Sequence, residues 1–566
     1  MRTEDEAWVL SFNGEIYNFQ ELRAQIEATG HRFRSQSDTE VLLELWRREG
    51  RACLSKLRGM FAFAVYDKKT RTLTLARDRV GKKPLFYFRQ GNVFAFASEI
   101  KALRTLSNAP RSVDWESIHH FLTMMYLPSP LTGTEGMLKL PAAHTLTLDL
   151  STGEIQIERY WELRYDTDTV TSLPVWKEKI ANAFEESVRL RMVADVPVGA
   201  FLSGGIDSAA VVASMSKHGS QPVKTFSIGT RHQTHNELPD ALRIAQLFQT
   251  DHHPIEVEAD IVHLLPELVR TYEQPYGDSS AIPTYLIARE ARKVVTVALN
   301  GDGGDENFAG YVRYPILRFS EGWRRAPALL HRLTRGGTYL FHSLMRSTFS
   351  YRVNRFQQSM PLPWEQRYLQ YLSFFTEEEK RRLYRDGFGD NFSRTDQWYA
   401  VRTTDARNRA GDLVHRAMSM DIETYLAEDL LPKVDYGTMA HGLEARSPFL
   451  DHTLLELTAR LPIHYQLHGS VRKWILKEVL KDTLPLATLS RPKTGFRLPL
   501  DTWFRRDLSS FVSERLLEGH PNMWQVFDRS RLEAFLAEYR RSHIDYSDHI
   551  WALLWLQEWF SQYTDA

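Results

Sequence analysis

The chain has 566 residues, with 71 Lys+Arg against 71 Asp+Glu, so no global field favours nucleic acid or an anionic membrane. Its single cysteine, Cys53, excludes an intrachain disulfide framework and fits a reducing compartment. The length predicts about two to four domains. With no apolar stretch long enough to span a bilayer and an acidic, polar start unlike a signal peptide, a soluble cytoplasmic protein is expected.

Residues 1 to 160 read as short apolar or aromatic strands at Trp8–Phe12, Met60–Tyr66, Leu73–Ala76, Leu85–Phe88 and Val93–Ala97, separated by turn signals such as Gly91-Asn92. Helical patterns interrupt them near Asn18–Ala28 and Asp38–Glu49, which predicts an α+β sandwich. From about residue 170, helices alternate with the single strands Val196–Leu202, Thr225–Ile228, Ile255–Val257 and Val294–Leu299. That alternation predicts a parallel sheet covered on both faces, binding ligands at the carboxyl ends of its strands. Beyond Tyr314 the chain reads as largely helical. Between Tyr311 and Met360 it carries nine Arg, no Lys and only Glu321 as an acid, a solvated face or inter-domain contact rather than a nucleic-acid patch. The pairs His119-His120 and His252-His253 lack spaced partners for a metal and read as loop or core.

Two loops carry the chemistry. Ser203-Gly204-Gly205-Ile206-Asp207-Ser208 lies between the run Val196–Leu202 and a helical pattern, Ala209–His218, that stops at Gly219. A strand, a glycine turn and a helix start present unpaired backbone amides to an anion, and Ser203 and Ser208 add hydroxyl donors. Asp207 beside a polyphosphate is repulsive unless a cation intervenes, which points to Mg²⁺ with a nucleotide. The bland alternative is a turn whose Ser and Asp cap the helix. The second loop, Asn300-Gly301-Asp302-Gly303-Gly304-Asp305-Glu306, repeats the pattern with more acids, and its spacing is not that of an EF-hand. If both loops share one sheet edge, Asp207 and Asp305 can share Mg²⁺. No Walker-type loop is present.

Ser-Gly-Gly-x-Asp-Ser after a strand resembles the pyrophosphate-binding loop of the N-type ATP pyrophosphatases. Over nearly the whole chain the sequence is similar to the glutamine-hydrolysing asparagine synthetases. The motifs are the Asn300–Glu306 loop, Leu431-Pro432-Lys433-Val434-Asp435, Gly442-Leu443-Glu444-Ala445-Arg446-Ser447-Pro448-Phe449-Leu450-Asp451 and Arg491-Pro492-Lys493-Thr494-Gly495-Phe496. The resemblance implies an α/β protein. A truncated N-terminal Ntn-type α+β sandwich of the class II glutamine amidotransferase kind, residues 1–160, would precede an α/β PP-loop domain, residues 170–566, with a largely helical C-terminal part. It further implies ATP and Mg²⁺ as cofactors and conversion of aspartate to asparagine through a β-aspartyl adenylate. Leu202 and Ile228 would contact adenosine. Ser203, Gly204, Gly205, Asp207 and Ser208 would hold pyrophosphate and metal, Asn300 and Gly301 would line the nucleotide, and Asp305 would bind Mg²⁺. Asp302 stands where an acid important for adenylate formation is expected, and Lys473 where a lysine neutralises the phosphorane. Glu444 and Arg446 fit either the aspartate-binding region or a structural ion pair.

The N-terminal stretch Ser11–Asn18 is similar to the segment supplying an oxyanion hole (Asn13 side chain, Gly14 amide) and a glutamine contact at Glu15, and Asp38 matches a residue that holds the glutamine amino group. Gly59–Ala64 and Ala76–Arg79 continue the likeness. In that family the nucleophile is an N-terminal cysteine. This chain begins with Met1, and Cys53 reads as a small buried hydrophobe. Either Met1 corresponds to an internal methionine, which the retained Asn13, Gly14, Glu15 and Asp38 favour, or the protein uses free ammonia. On both readings this 566-residue chain is expected not to hydrolyse glutamine. The partners expected are small molecules (aspartate, glutamine or ammonia, ATP), without nucleic acid or membrane, and a homodimer is compatible with them. The alternative is the same chemistry on another carboxylate, in a secondary or polysaccharide pathway.

Overall fold

The computed structural model describes residues 1–229, 236–256, 260–345, 347–392, 411–491 and 498–564. Val257 and the stretch Pro492–Phe496, both part of the sequence reading, lie outside the described residues. The fold is α/β, with an N-terminal sandwich followed by a parallel-sheet domain and a helical C-terminal part.

In the sandwich an antiparallel sheet runs Trp8–Ile16, Gly59–Asp67, Thr72–Arg77, His144–Asp149, Ile155–Arg159 in spatial order. Strand Gly59–Asp67 shows why three layers form. Its period-two alternation sends Phe61, Phe63 and Val65 toward helices Phe19–Glu27 and Asp38–Glu49, and Ala62 and Ala64 toward a second sheet of Val93–Ala97, Phe86–Gln90 and Met137–Lys139. Cys53 is fully buried beneath the helices, and that burial pushes its thiol up to about 12. Met1 and Thr3 fold back on strand Trp8–Ile16, with Leu10 N donating to Met1 O (2.9 Å) and Thr3 N to Trp8 O (3.1 Å).

The second sheet is parallel throughout, in the order Asp251–Glu256, Lys224–Gly229, Val198–Phe201, Val297–Leu299, Glu444–Arg446. From Val198–Phe201 the chain steps outward one way through Lys224–Gly229, then returns to lay Val297–Leu299 on the other flank. Neighbouring strands whose connections leave in opposite directions open a crevice at their carboxyl ends. The strands begin later than Val196 and Val294, and Glu444–Arg446 is an edge strand absent from the sequence reading.

Helix Ser547–Tyr563 runs through the C-terminal core with Trp551, Trp555 and Trp559 buried. The indole N–H groups of Trp555 and Trp559 donate to Gln274 O and Glu273 O, each at 3.0 Å, satisfying their one polar atom while burying a large apolar area. The Arg-rich stretch divides: Arg313 is paired with Asp421 (2.9 Å) and Arg355 donates to Gln370 O and Ser373 O, whereas Arg318, Arg332 and Arg335 face solvent. The two domains are joined by buried ion pairs, Lys83–Asp435 and Lys139–Glu428, both 2.8 Å. No helix among the described residues is long and apolar enough to cross a membrane.

Candidate active site

Helix Ile206–His218 starts three residues earlier than its apolar pattern, with Gly205 as N-cap, so Asp207 lies in the first turn. The serine hydroxyls are committed to the loop rather than offered to an anion. Ser208 Oγ accepts from Ser203 N (3.1 Å) and shares a hydrogen bond with Ser203 Oγ (2.8 Å), while Gly205 N donates to Ser203 Oγ (3.2 Å). These bonds brace the turn, in which Gly204 is buried against Arg491 and Asp240. A Cβ at Gly204 would lie 1.9 Å from Arg491 Nη1, so only glycine admits that guanidinium over the loop.

The second loop leaves strand Val297–Leu299 beside the first. Asn300 N donates to Arg446 O (2.9 Å) and Asn300 Nδ2 to Asp302 Oδ2 (2.7 Å), fixing the loop's start. A Cβ on Gly301 would sit 2.8 Å from Asp207 Cβ and 2.9 Å from Ser208 N, so the loops touch because residue 301 has no side chain.

Lys473 joins them. Its Nζ lies 2.5 Å from Asp207 Oδ2 and 2.7 Å from Asp305 Oδ1, although it is 266 residues from Asp207 in sequence. The hairpin Leu467–His468/Val471–Arg472 delivers it, and its backbone takes the left-handed φ of +54°, with its N–H on Phe308 O (3.1 Å). A non-glycine residue held there is strained, and the surrounding contacts must impose it. The two loops and Lys473 border a cleft of about 540 Å³, also lined by Leu202 and Ile228 at its apolar end.

The donor set suits a divalent cation. Asp207 and Asp305 together carry more charge than one ammonium neutralises, and Asp207 Oδ1 is buried without a hydrogen-bond partner. Hard carboxylate oxygens of this kind are the usual protein share of a Mg²⁺ shell completed by phosphate and water. Among the described residues, no cluster of three or more His, Cys, Asp or Glu forms a self-contained metal site. His119 lies buried among Tyr384 and Lys380, and His252 bonds Thr225, as core and strand residues.

Several cleft residues escaped the sequence reading. Arg491, named there only within a motif, pairs with Asp240 (2.8 Å) and keeps Nη1 buried and unpartnered toward Gly204. Asp278 and Asp429 gather on the cleft wall with Lys433, likewise named only within a motif; Asp278 is 155 residues from Lys433, so no local spacing signals the group. Glu306, whose carboxyl burial pushes up to about 7, accepts from the Tyr311 hydroxyl.

In the N-terminal domain, Asn13 donates to Ser98 Oγ (3.0 Å), and Asp38 accepts from Ile16 N (3.0 Å). Gly14 has φ +153°, and a Cβ there would approach Met60 O to 2.1 Å. Glu15 reaches Arg446 of the parallel-sheet domain at 3.4 Å, and Arg446 also pairs with Glu444 (2.6 Å) and donates to Val193 O (2.6 Å). Arg446 and Glu444 do not line the cleft; they form a structural pair that reaches across the domain boundary.

A glutamine amidotransferase domain joined to a PP-loop sheet with two acidic glycine loops defines an amide-forming carbon–nitrogen ligase. Residues 1–161 match the glutamine amidotransferase domain and residues 179–561 match asparagine synthase, and the chain belongs to the asparagine synthase family. It is 31% identical over 559 residues to asparagine synthetase [glutamine-hydrolyzing] 1 of Bacillus subtilis, covering 99% of this chain and 86% of that protein. The putative asparagine synthetase [glutamine-hydrolyzing] of Mycobacterium tuberculosis is 32% identical over 581 residues, covering 99% and 85%. Amidase chry2 of Gibberella zeae is 26% identical over 547 residues, covering 90% and 79%.

Proposed function

We propose that the protein converts aspartate to asparagine through a β-aspartyl adenylate, with release of AMP and pyrophosphate. The observation carrying this reading is the Lys473 ammonium held between Asp207 and Asp305 where the two glycine loops meet. Attack of a carboxylate on the α-phosphate builds charge on the phosphoryl oxygens, and a lysine at the junction of the two loops would stabilise it once the two carboxylates bind Mg²⁺. Bound Mg²⁺ would supply Lewis-acid neutralisation of the phosphates, held by Asp207 and Asp305. Leu202 and Ile228 would face the adenine, Ser203, Gly204, Gly205 and Ser208 would shape the pyrophosphate turn, and Asn300 and Gly301 would line the nucleotide. Asp302, bonded to Asn300, would orient the reacting carboxylate. Asn13, Gly14, Glu15 and Asp38 would hold glutamine, and ammonia from glutamine or from solution would displace AMP.

The test is pyrophosphate release by the purified 566-residue chain with ATP, Mg²⁺ and ammonium. Release that requires aspartate and yields asparagine supports the reading, and release independent of any carboxylate refutes it. Lys473→Ala should lower the rate by about 10³-fold, and a rate near wild type would show that Lys473 has been misassigned. Glutamate release from glutamine by this chain would show that it needs no added ammonia.

A further inference from the structure

A second group of charges opens onto the same cleft. Lys433, on helix Leu431–Met439, donates to Asp278 Oδ2 (3.1 Å), and Asp429 lies one turn before it in the π-helical stretch Ile422–Leu430. The field at Lys433 is set by Asp278, Asp429 and Asp302 together, so three carboxylates share one ammonium. Asp278 also accepts from Ser280, and Asp302 from Asn300. Arg313 acts on Asp429 at longer range but is committed to Asp421 (2.9 Å) and to Tyr368.

Asp429 is the member left over. It is 6% exposed, borders the cleft, and its Oδ1 is buried without a hydrogen-bond partner, while the Tyr276 hydroxyl donates to its backbone carbonyl (3.1 Å) and also bonds its carboxyl, leaving Oδ1 unserved. A buried carboxylate oxygen without a donor is costly, and the nearest cation is already taken. Burial, with Asp278 beside it, pushes the Asp429 carboxyl up to about 8, so without a further cation it keeps its proton at neutral pH.

We infer that Asp429 receives the primary ammonium group of the acceptor acid, making the cleft selective for an amino acid over a dicarboxylate or hydroxy acid of the same length. This rests on the proposal that a carboxylate is adenylated in this cleft. Lys433, held by Asp278, faces the same ligand and suits its spare carboxylate. A docking ammonium supplies the missing donor and displaces the Asp429 proton to solvent.

The experiment measures initial pyrophosphate release by the full chain with ATP, Mg²⁺ and ammonium chloride against aspartate, glutamate, succinate and malate. Wild type should prefer the amino acid over its desamino analogue by about 10²-fold in kcat/KM, and Asp429→Asn should lose about 10²-fold for the amino acid, mainly in KM. The KM for ATP should stay within about twofold, and the selectivity should collapse. An unchanged amino-acid KM in Asp429→Asn overturns the inference, as does wild-type turnover of succinate as fast as aspartate. If glutamate is activated and aspartate is not, the aspartate assignment falls, while loss of glutamate turnover in Asp429→Asn still supports the inference. If only acids without an amine are activated, the inference falls and the ligase reading stands. A second measurement needs no variant: calorimetry of wild type at pH 7 in buffers of different ionisation enthalpy. With a non-hydrolysable ATP analogue present, binding of the amino acid should release about one proton, and zero release overturns the inference.

Discussion

The two candidate sites of this molecule are built from similar residues in opposite states. In the N-terminal domain Asn13, Glu15 and Asp38 are already partnered by Ser98, Arg446 and the Ile16 amide. In the cleft of the parallel sheet, Asp207 Oδ1, Asp429 Oδ1 and Arg491 Nη1 are buried with no partner. Because desolvated polar atoms cost free energy until something bonds them, the second arrangement is poised for ligand and the first is closed upon itself. The regions are nonetheless wired together. Glu15 meets Arg446, whose carbonyl accepts from Asn300 N at the head of the second loop.

The largest expected effect concerns the joint between the regions. Asp451 is fully buried and bonds Arg191 (3.0 Å) of its own domain and Arg58 (3.1 Å) of the N-terminal one. Burial alone would raise its carboxyl, but the two guanidiniums overcome that and hold it well below the usual range. Asp451→Asn leaves buried Arg191 without an ion-pair partner and Arg58 with Glu186 alone, and should cost about 3–5 kcal/mol in chemical denaturation at pH 7. For a depressed acid the stabilisation is present above its unfolded value near 3.8 and is lost as pH falls further. The gap between variant and wild type should therefore narrow below about pH 4. A constant gap would mean that folding does not shift the Asp451 carboxyl.

The next pair of substitutions separates the regions directly. Gly301→Ala drives a Cβ against Asp207 and the Ser208 amide, so the loops must part. A displacement of that size should cut ammonium-dependent pyrophosphate release by about 10²-fold with little change in melting temperature. Gly14→Ala meets Met60 O and Phe61 Cα, both backbone, and must open the pairing of Trp8–Ile16 with Gly59–Asp67. It should lower stability by about 3 kcal/mol while leaving the folded fraction's pyrophosphate release within about threefold. Equal loss of turnover in both variants would break the distinction.

These contrasts follow what local sequence can carry. Both acidic loops were legible because a glycine turn after an apolar run leaves few physical options, and the strands bearing them became sheet neighbours as expected. The strands start later than the apolar runs because Val196, Val294 and Val295 extend those runs without pairing: Val295 is buried in a link, which has the same signature as burial in a strand, and Val196 is exposed. Lys473 was legible only through resemblance. Nothing in Val471–Lys477 separates it from Lys477, and what singles it out is a hairpin that brings it to Asp207. Lys433 stood in the sequence only as part of a motif, and Asp278 and Asp429 left no local trace, since the meeting of the three depends on a π-helical stretch and a loop tied down by Trp555 and Trp559.

The smallest effect tests whether the N-terminal group is as closed as its bonds suggest. Burial, opposed by Arg446, raises the Glu15 carboxyl to about 7. For a raised acid the native state binds the extra proton, so its contribution is favourable below the unfolded value of 4.5 and is lost as pH rises toward 7. Glu15→Gln removes that titration while Arg446 keeps Glu444 as partner. The variant's stability relative to wild type should therefore rise by about 2 kcal/mol between pH 5 and 7 and level off above. A flat difference would mean that the Arg446 ion pair, and not desolvation, governs Glu15. In that case the N-terminal pocket would hold a permanent carboxylate, as charged as the cleft across the boundary.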